Sequence, residues 1–219
     1  MDIDFIVKNI PLYIKAMNLT LTLAFWGIIL SLFIGFICSL IMYYKIKILK
    51  NIVNCYIELS RNTPLLIQLF FLYYGLPKMG IKLEAYTCAV ISLAFLGGSY
   101  MAEAFRSGFE SVSNTQIESG LSIGLTNSQL IRYVILPQAF TVAIPALGAN
   151  GIFILKETSI VSAVALADLM FVTKDLIGMY YKTTEALVML VVAYLIILLP
   201  LSLLLTLIER RVRYAELGN

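Results

Sequence analysis

Three pairs of opposite charge stand in or beside long apolar runs of this sequence: Glu58 with Arg61, Glu103 with Arg106, and Lys156 with Glu157. An ionisable side chain at the middle of a bilayer costs at least about 2.5–3.5 kcal/mol, so charges in such places need a partner or a use. Glu58/Arg61 and Glu103/Arg106 are spaced i,i+3, which lets each pair meet on one helical face. Two readings are open. The pairs neutralise helix ends, with long side chains reaching back to the interface, or they recognise a charged polar solute at membrane depth. Catalysis is not indicated. The chain has no histidine, the commonest general base and metal ligand, and no nucleophile–base pair can be named. Cys38, Cys55 and Cys88 are far apart in apolar runs and read as small residues of helix interiors.

The elements that must carry these charges follow from composition. Of 219 residues, 60% are hydrophobic and 13% charged, against roughly 25% charged in soluble domains. Much of the surface must face lipid. The net charge of +3 suggests no nucleic-acid partner. A spanning helix needs about 20 apolar residues, and five spans are expected at about 16–44, 53–76, 85–105, 138–155 and 186–208. The second is long enough only if it is extended back through Glu58 and Arg61. The fold class is therefore an all-α integral membrane protein with five transmembrane helices, one domain over 1–219. The N-terminus does not read as a secretory signal, since Asp2 and Asp4 precede the first lysine. Five spans put the termini on opposite sides. All six arginines (Arg61, Arg106, Arg132, Arg210, Arg211, Arg213) fall on the inner side if the C-terminus is cytoplasmic, which favours N-terminus out, C-terminus in. A second connection, 156–184, would lie outside, and its apolar stretch 160–170 would rest at the interface or re-enter.

The cytoplasmic connection, about 107–137, has the marks of a helical hairpin. Thr115 with Glu118 and Thr126 with Gln129 have capping-box spacing. Gly124 sits where a helix C-terminus needs a left-handed residue, and Pro137 stops the second helix or starts the next. Ile117 and Leu121 are four apart, with Gly120 and Gly124 on a similar face, a combination suited to a knob entering a groove on another protein. Lying on the bilayer surface is the alternative, for which the loop has few basic residues.

Glu118-Ser-Gly-x-x-x-Gly124, nine residues, and Val134-Ile-Leu-Pro137 resemble the "EAA" loop of ABC-importer permeases, with Ser119 and Gly120 in place of the family's alanines. The resemblance covers nearly the whole chain. Arg61-Asn-Thr-Pro-Leu-Leu-Ile-Gln-Leu-Phe-Phe-Leu-Tyr-Tyr-Gly-Leu-Pro77, Gly98-Ser-Tyr-Met-Ala-Glu-Ala-Phe-Arg106 and Leu155-Lys-Glu-Thr-Ser159 are similar to segments of the polar amino-acid (histidine/glutamate/glutamine/arginine/opine) branch. Asn62 and Glu157 replace that branch's glycine and aspartate.

The resemblance implies the membrane-spanning subunit of an ATP-driven amino-acid importer in the plasma membrane of a prokaryote. Its expected partners are an ATP-binding subunit dimer, a second permease subunit (the same or a homologous chain), an extracytoplasmic substrate-binding protein and a polar amino acid. The sequence has no GxxxxGK(S/T) phosphate loop, so ATP and magnesium are expected on the partner and no cofactor in this chain. ATPase coupling is expected at Ile117, Glu118, Gly120, Leu121, Gly124 and Pro137. A free amino acid is a zwitterion, and its carboxylate suits an arginine or helix N-terminal amides. Asn62-Thr63-Pro64 interrupts the second span, and broken helices expose backbone groups for such contacts. Arg61 and Thr63 are thus expected to face the carboxylate and Glu58 or Glu103 the ammonium, with Gln68, Tyr100 and Glu157 as further candidates. A stand-alone secondary carrier or channel is the rival. The odd span count, the absence of internal repeats and the capped hairpin disfavour it. A membrane scaffold would leave the Glu58, Arg61 and Glu103 charges unexplained.

Overall fold

The computed structural model describes residues 1–216, with side chains through Val212; the side chain of Arg213 lies outside them. Nine helices follow in chain order: α1 (Ile3–Tyr43), α2 (Lys47–Arg61), α3 (Leu65–Phe70), α4 (Ala85–Ser111), α5 (Asn114–Ser122), α6 (Asn127–Leu130), α7 (Leu136–Glu157), α8 (Leu169–Tyr180) and α9 (Thr183–Glu216). A π turn, Ile131–Ile135, joins α6 to α7, and a 3-10 turn, Thr158–Val164, follows α7. No strand occurs among the described residues.

Among the described residues, four helical runs are long and apolar enough to cross a membrane: Ile3–Tyr43, Ala85–Ser111, Asn127–Val164 and Thr183–Val212. They cover four of the five expected spans. The expected span 53–76 is not one helix. It is split at Asn62–Pro64 into α2 and a shorter apolar helix, Leu65–Met79, made of α3 with a π turn and a 3-10 turn. Pro64 explains the split, because its ring excludes a helical residue before it and it has no N–H to continue the ladder. The first span also differs: its helix begins at Ile3, where the Asp2 carboxylate accepts the Phe5 N–H at 3.0 Å, and runs through Pro11.

α4 is the most enclosed of the long helices, and α1 packs along it through small residues. Gly27, Ser31 and Gly35, one turn apart, face Leu93, Gly97 and Met101. The Ser31 hydroxyl donates to its own helix at the Gly27 carbonyl, 2.6 Å away, so its polar atom is satisfied inside the seam. α2 packs beside α1 and is also tied to α4. The Tyr56 and Ser60 hydroxyls both donate to the Phe95 carbonyl, at 2.7 and 3.0 Å. Gly108 of α4 admits the backbone of α7, since a β-carbon there would lie 2.3 Å from the Ala139 carbonyl oxygen.

A second, smaller core joins α1, α8 and α9 around Tyr13, Leu169, Val172 and Ala186. The Tyr13 hydroxyl donates to the Ala186 carbonyl at 2.9 Å and lies 2.8 Å from the Thr173 hydroxyl. Asp2 pairs with Lys182 at 3.1 Å, and its backbone N–H donates to Glu185. The Phe5 N–H and the Lys182 ammonium hold the Asp2 carboxyl below the usual carboxylate range. These contacts place the first residue of α1 beside the first turn of α9, so α1 and α9 start at one end of the bundle. The apolar stretch 160–170 turns part of its side chains inward: Val161, Val164 and Leu169 are buried in the two cores. Large apolar side chains left open include Phe25, Trp26 and Phe33 of α1 and Leu195, Leu199 and Leu203 of α9, as lipid-facing positions require. Cys38 and Cys88 are buried as expected, whereas Cys55 is exposed, because α2 carries it on a face turned away from α4.

Candidate functional site

A cavity of about 920 Å³ lies between α2 and α4, at the end of the bundle where α4 gives way to α5. The two helices run antiparallel along it. α2 contributes Lys50, Asn54, Glu58 and Arg61, and α4 contributes Glu103, Arg106 and Glu110. Tyr43, the last residue of α1, and Lys45, in the turn that follows, also line it. Glu58, Arg61 and Glu103, the three principal candidates from the sequence, therefore meet in one place although they come from two separate segments.

Their pairing differs from the spacing argument in one case. Glu103 does bind Arg106, and Glu110 joins from the other side at 2.7 Å, so one guanidinium lies between two carboxylates. Glu58 and Arg61 form no ion pair. Asn62 intervenes: its side-chain amide donates to the Glu58 carboxylate at 3.0 Å and to the Glu58 carbonyl at 2.8 Å. The helix ends at Arg61, and Arg61 turns toward α4, where its guanidinium stacks over the Tyr100 ring, 5.1 Å from the centroid. Arg61 makes no ion pair among the described residues, unlike Arg106. The cavity so holds one neutralised guanidinium and one free one.

Thr63 and Gln68 do not line the cavity. They close the break in the second span. The Gln68 amide N–H groups point at the Ser60 carbonyl (3.0 Å), the Thr63 carbonyl (3.1 Å) and the Thr63 hydroxyl (2.9 Å). The Thr63 hydroxyl in turn donates to the Leu59 carbonyl at 2.7 Å. Carbonyls that an unbroken helix would have satisfied are thus taken up by side chains. Tyr100 borders the cavity only through Arg61. Glu157, half-buried at the end of α7, stands apart from it and makes no ion pair with Lys156.

The hairpin forms with altered details. α4 continues to Ser111, past the expected start of the connection at 107. The first arm is capped by Ser113, whose hydroxyl accepts the Gln116 N–H, and not by the Thr115–Glu118 box, since Thr115 is already helical. The Thr126–Gln129 capping box is present, and Gly124 has φ +86°. Pro137 lies in the first turn of α7, so the second arm runs through the π turn into that helix without a break. Gly120 does not face outward. It is buried against the second arm, with Leu130 2.5 Å from where its β-carbon would be, and Ile117 packs half-buried on the main core. The apolar side chains presented outward are Leu121 and Ile123, 48% and 79% exposed, with Glu118 beside them.

Sequence reasoning missed Glu110 and the lysines of the cavity, although Glu110 is spaced i,i+4 from Arg106 and could have been found by that signal. It also missed Asp168, which is fully buried and caps α8 by accepting the Met170 and Phe171 N–H groups at 3.2 and 2.9 Å. Burial pushes its carboxyl up to about 6.

Long apolar helices around a charged cavity, with a helical hairpin at the cavity's end, define the membrane-embedded subunit of a transporter. Residues 27–214 match the family described as the binding-protein-dependent transport system inner membrane component, and the chain belongs to this family. It is 32% identical over 214 residues to the glutamine transport system permease protein of Escherichia coli, covering 97% of this chain and 98% of the relative. It is 33% identical over 223 residues to the nopaline transport system permease protein of Agrobacterium fabrum, covering 95% and 91%. A crystal structure of an amino acid ABC transporter with histidines has a subunit of the same fold, with a TM-score of 0.90, 36% identity, and 96% and 99% of the two chains covered. The inward-facing methionine ABC transporter MetNI shares the fold at a TM-score of 0.77 and 19% identity. The chain is thus a multi-pass permease subunit of an ABC importer, in which ATP hydrolysis belongs to a separate chain.

Proposed function

We propose that this chain forms the pathway for a polar amino acid and binds it in the α2–α4 cavity, with Arg61 on the substrate carboxylate and Glu58 on the ammonium. The free Arg61 guanidinium carries this reading: it stands in a charged cavity with no carboxylate of its own. A guanidinium so placed gains a bidentate, charge-assisted pair when a carboxylate arrives. Glu103 acts mainly by neutralising Arg106. The names of the relatives, glutamine and nopaline permeases, support an amino acid or its derivative as cargo. Four long helices and the broken α2–α3 segment together give five crossings, with the N-terminus outside and the C-terminus and hairpin in the cytoplasm. Leu121, Ile123 and Glu118 dock an ATPase subunit dimer that carries ATP and magnesium. A second permease subunit completes the pathway, and an extracytoplasmic binding protein delivers the substrate. ATP-driven closure of the partner shifts the hairpin and exposes the cavity to alternate sides, which needs only that the loop docks differently in the two states.

The test is equilibrium binding of radiolabelled L-glutamine, L-histidine and L-arginine to the detergent-purified permease–ATPase complex without its receptor. Replacing Arg61 by alanine is expected to weaken binding of the preferred amino acid about 10- to 100-fold, the range for a hydrogen bond to a charged group. Binding unchanged in that variant, or no binding of any of the three to the unaltered complex, overturns the reading.

A further inference from the structure

Arg61 stands against a residue of another helix. Its guanidinium lies over the Tyr100 ring, and Tyr100 is itself fixed from a third helix. The Tyr100 carbonyl accepts the Asn150 side-chain N–H at 3.2 Å, and the ring meets Phe153 edge-to-face with centroids 5.2 Å apart at 63°. Asn150 and Phe153 are one turn apart on α7. α7 in turn continues without interruption from the second arm of the hairpin, through α6 and the π turn. A single chain of contacts therefore runs from the hairpin arm along α7 to Tyr100, and from Tyr100 to the one unpaired guanidinium of the cavity.

We propose that Tyr100 is a positioning residue: held by Asn150 and Phe153, it sets the place of the Arg61 guanidinium, so that the helix carrying the hairpin governs where the substrate-binding cation stands. The inference rests on the binding role given to Arg61 above. The physical ground is the ring's quadrupole, whose negative face attracts a cation along a defined direction. A long arginine side chain with no carboxylate to hold it would otherwise lose rotamer entropy on meeting its ligand, and the ring spares it that loss. When α7 moves with the hairpin, the Tyr100 main chain and ring are drawn with it, and Arg61 is left without its support. Substrate affinity then falls on the side to which release occurs, with no need for any contact between substrate and α7. An opposing account makes Tyr100 a packing residue only, in contact with Arg61 by proximity. The two differ in what a change at 100 does when Arg61 is absent.

A double-mutant cycle between positions 61 and 100 separates them. The measurement is the Kd of the preferred radiolabelled amino acid, among L-glutamine, L-histidine and L-arginine, for the purified permease–ATPase complex. Tyr100→Leu is expected to raise Kd roughly fivefold, the size of a partly desolvated cation–π contact, while Tyr100→Phe, which keeps the ring face, stays near the unaltered value. With Arg61→Ala in the background, Tyr100→Leu is expected to have no further effect. A fivefold loss that persists in the Arg61→Ala background makes Tyr100 a packing residue and overturns the proposal, as does a Tyr100→Leu complex that binds normally while Arg61→Ala does not. If Arg61→Ala itself binds normally, the binding role of Arg61 fails first, and the two failures are told apart. The link to α7 is read separately. Asn150→Ala is expected to leave Kd within twofold in the nucleotide-free complex but to raise the ATP hydrolysed per amino acid imported roughly threefold. An unchanged ratio severs α7 from the arrangement. Complex yield on purification reports whether each variant folds, and Tyr100→Phe supplies the conservative comparison should Tyr100→Leu be lost.

Discussion

Gly97 faces Ser31 so closely that a β-carbon at position 97 would lie 2.1 Å from the Ser31 hydroxyl oxygen. The α1–α4 seam is therefore set by backbone approach, and the absence of a side chain at 97 is a packing requirement. Gly35, whose β-carbon would fall 2.4 Å from that of Met101, repeats it one turn further on. Close approach of this kind is how helices associate where lipid removes the hydrophobic drive between them.

Gly97→Ala is expected to destabilise the complex by about 1–3 kcal/mol, the range for overpacking. Ser31→Gly in the same chain should recover part of that loss, with the Ile154 Cδ1, 2.6 Å from the same β-carbon, still to shift. The fluorescence-detected melting temperature of the purified complex reports both. A melting temperature unchanged by Gly97→Ala would show that the seam gives way at little cost.

For the hairpin, Ile123→Asp is expected to cut co-purification of the ATPase subunit at least tenfold, because a charge would be buried where an apolar side chain docks. Leu121→Asp should act likewise. Gly120→Leu should lower the amount of folded permease instead, since Gly120 is covered by Leu130. Retention of the ATPase by the Ile123→Asp variant would move the docking surface elsewhere.

Glu103 and Glu58 are predicted to separate. Glu103→Gln leaves Glu110 on Arg106, so substrate binding should weaken less than about threefold. Glu58→Gln removes the carboxylate not paired to a guanidinium and should weaken it about tenfold. Equal losses in equilibrium binding would mean that Glu103 also contacts the ammonium.

Asp168 gives a pH prediction. Its carboxyl titrates at about 6 in the fold, against 3.8 ordinarily. The folded state thus binds its proton more tightly, and that contribution to stability is full below about pH 4 and lost as pH rises through 6. Asp168→Asn keeps an acceptor for the α8 N-terminus and cannot ionise. It should flatten the fall in melting temperature between about pH 4 and 6 and be neutral or stabilising at pH 7.5. Asp168→Ala should lose about 1 kcal/mol of capping at every pH. A pH profile identical in Asp168→Asn and the unaltered chain would assign the dependence to another group.

How far the sequence could be read depended on how local each feature is. Four spans, the Glu103–Arg106 pair, the Thr126–Gln129 box and the left-handed Gly124 are each decided within a few residues, and the structure has them. The Glu58–Arg61 pair failed because the helix ends at Arg61, and Asn62, one residue on, took the carboxylate. The Thr115 box failed because α4 ends in extended backbone at Val112, leaving Ser113 as the first available cap. The outward face of the hairpin could not be read from Ile117, Gly120 and Leu121 alone. Helical spacing shows which residues share a face, not whether the hairpin's own second arm covers it. The Arg61–Tyr100 contact joins residues 39 positions apart on two helices, and no spacing rule reaches that far.

The backbones of α4 and α7 approach closely at Gly108 and Ala139, and a tilt of the 38-residue run Asn127–Val164 as one body would turn about that contact. At 1.5 Å per residue, the arm from this fulcrum to the hairpin end at Asn127 is about 18 Å, the distance to Asn150 about 16 Å, and the arm to Val164 about 37 Å. A seesaw with those arms would reverse a push at the hairpin end, deliver it at nearly full size beside Tyr100, and double it at the far end. In such a tilt the ratio of the arms is set by where one glycine lets two backbones touch.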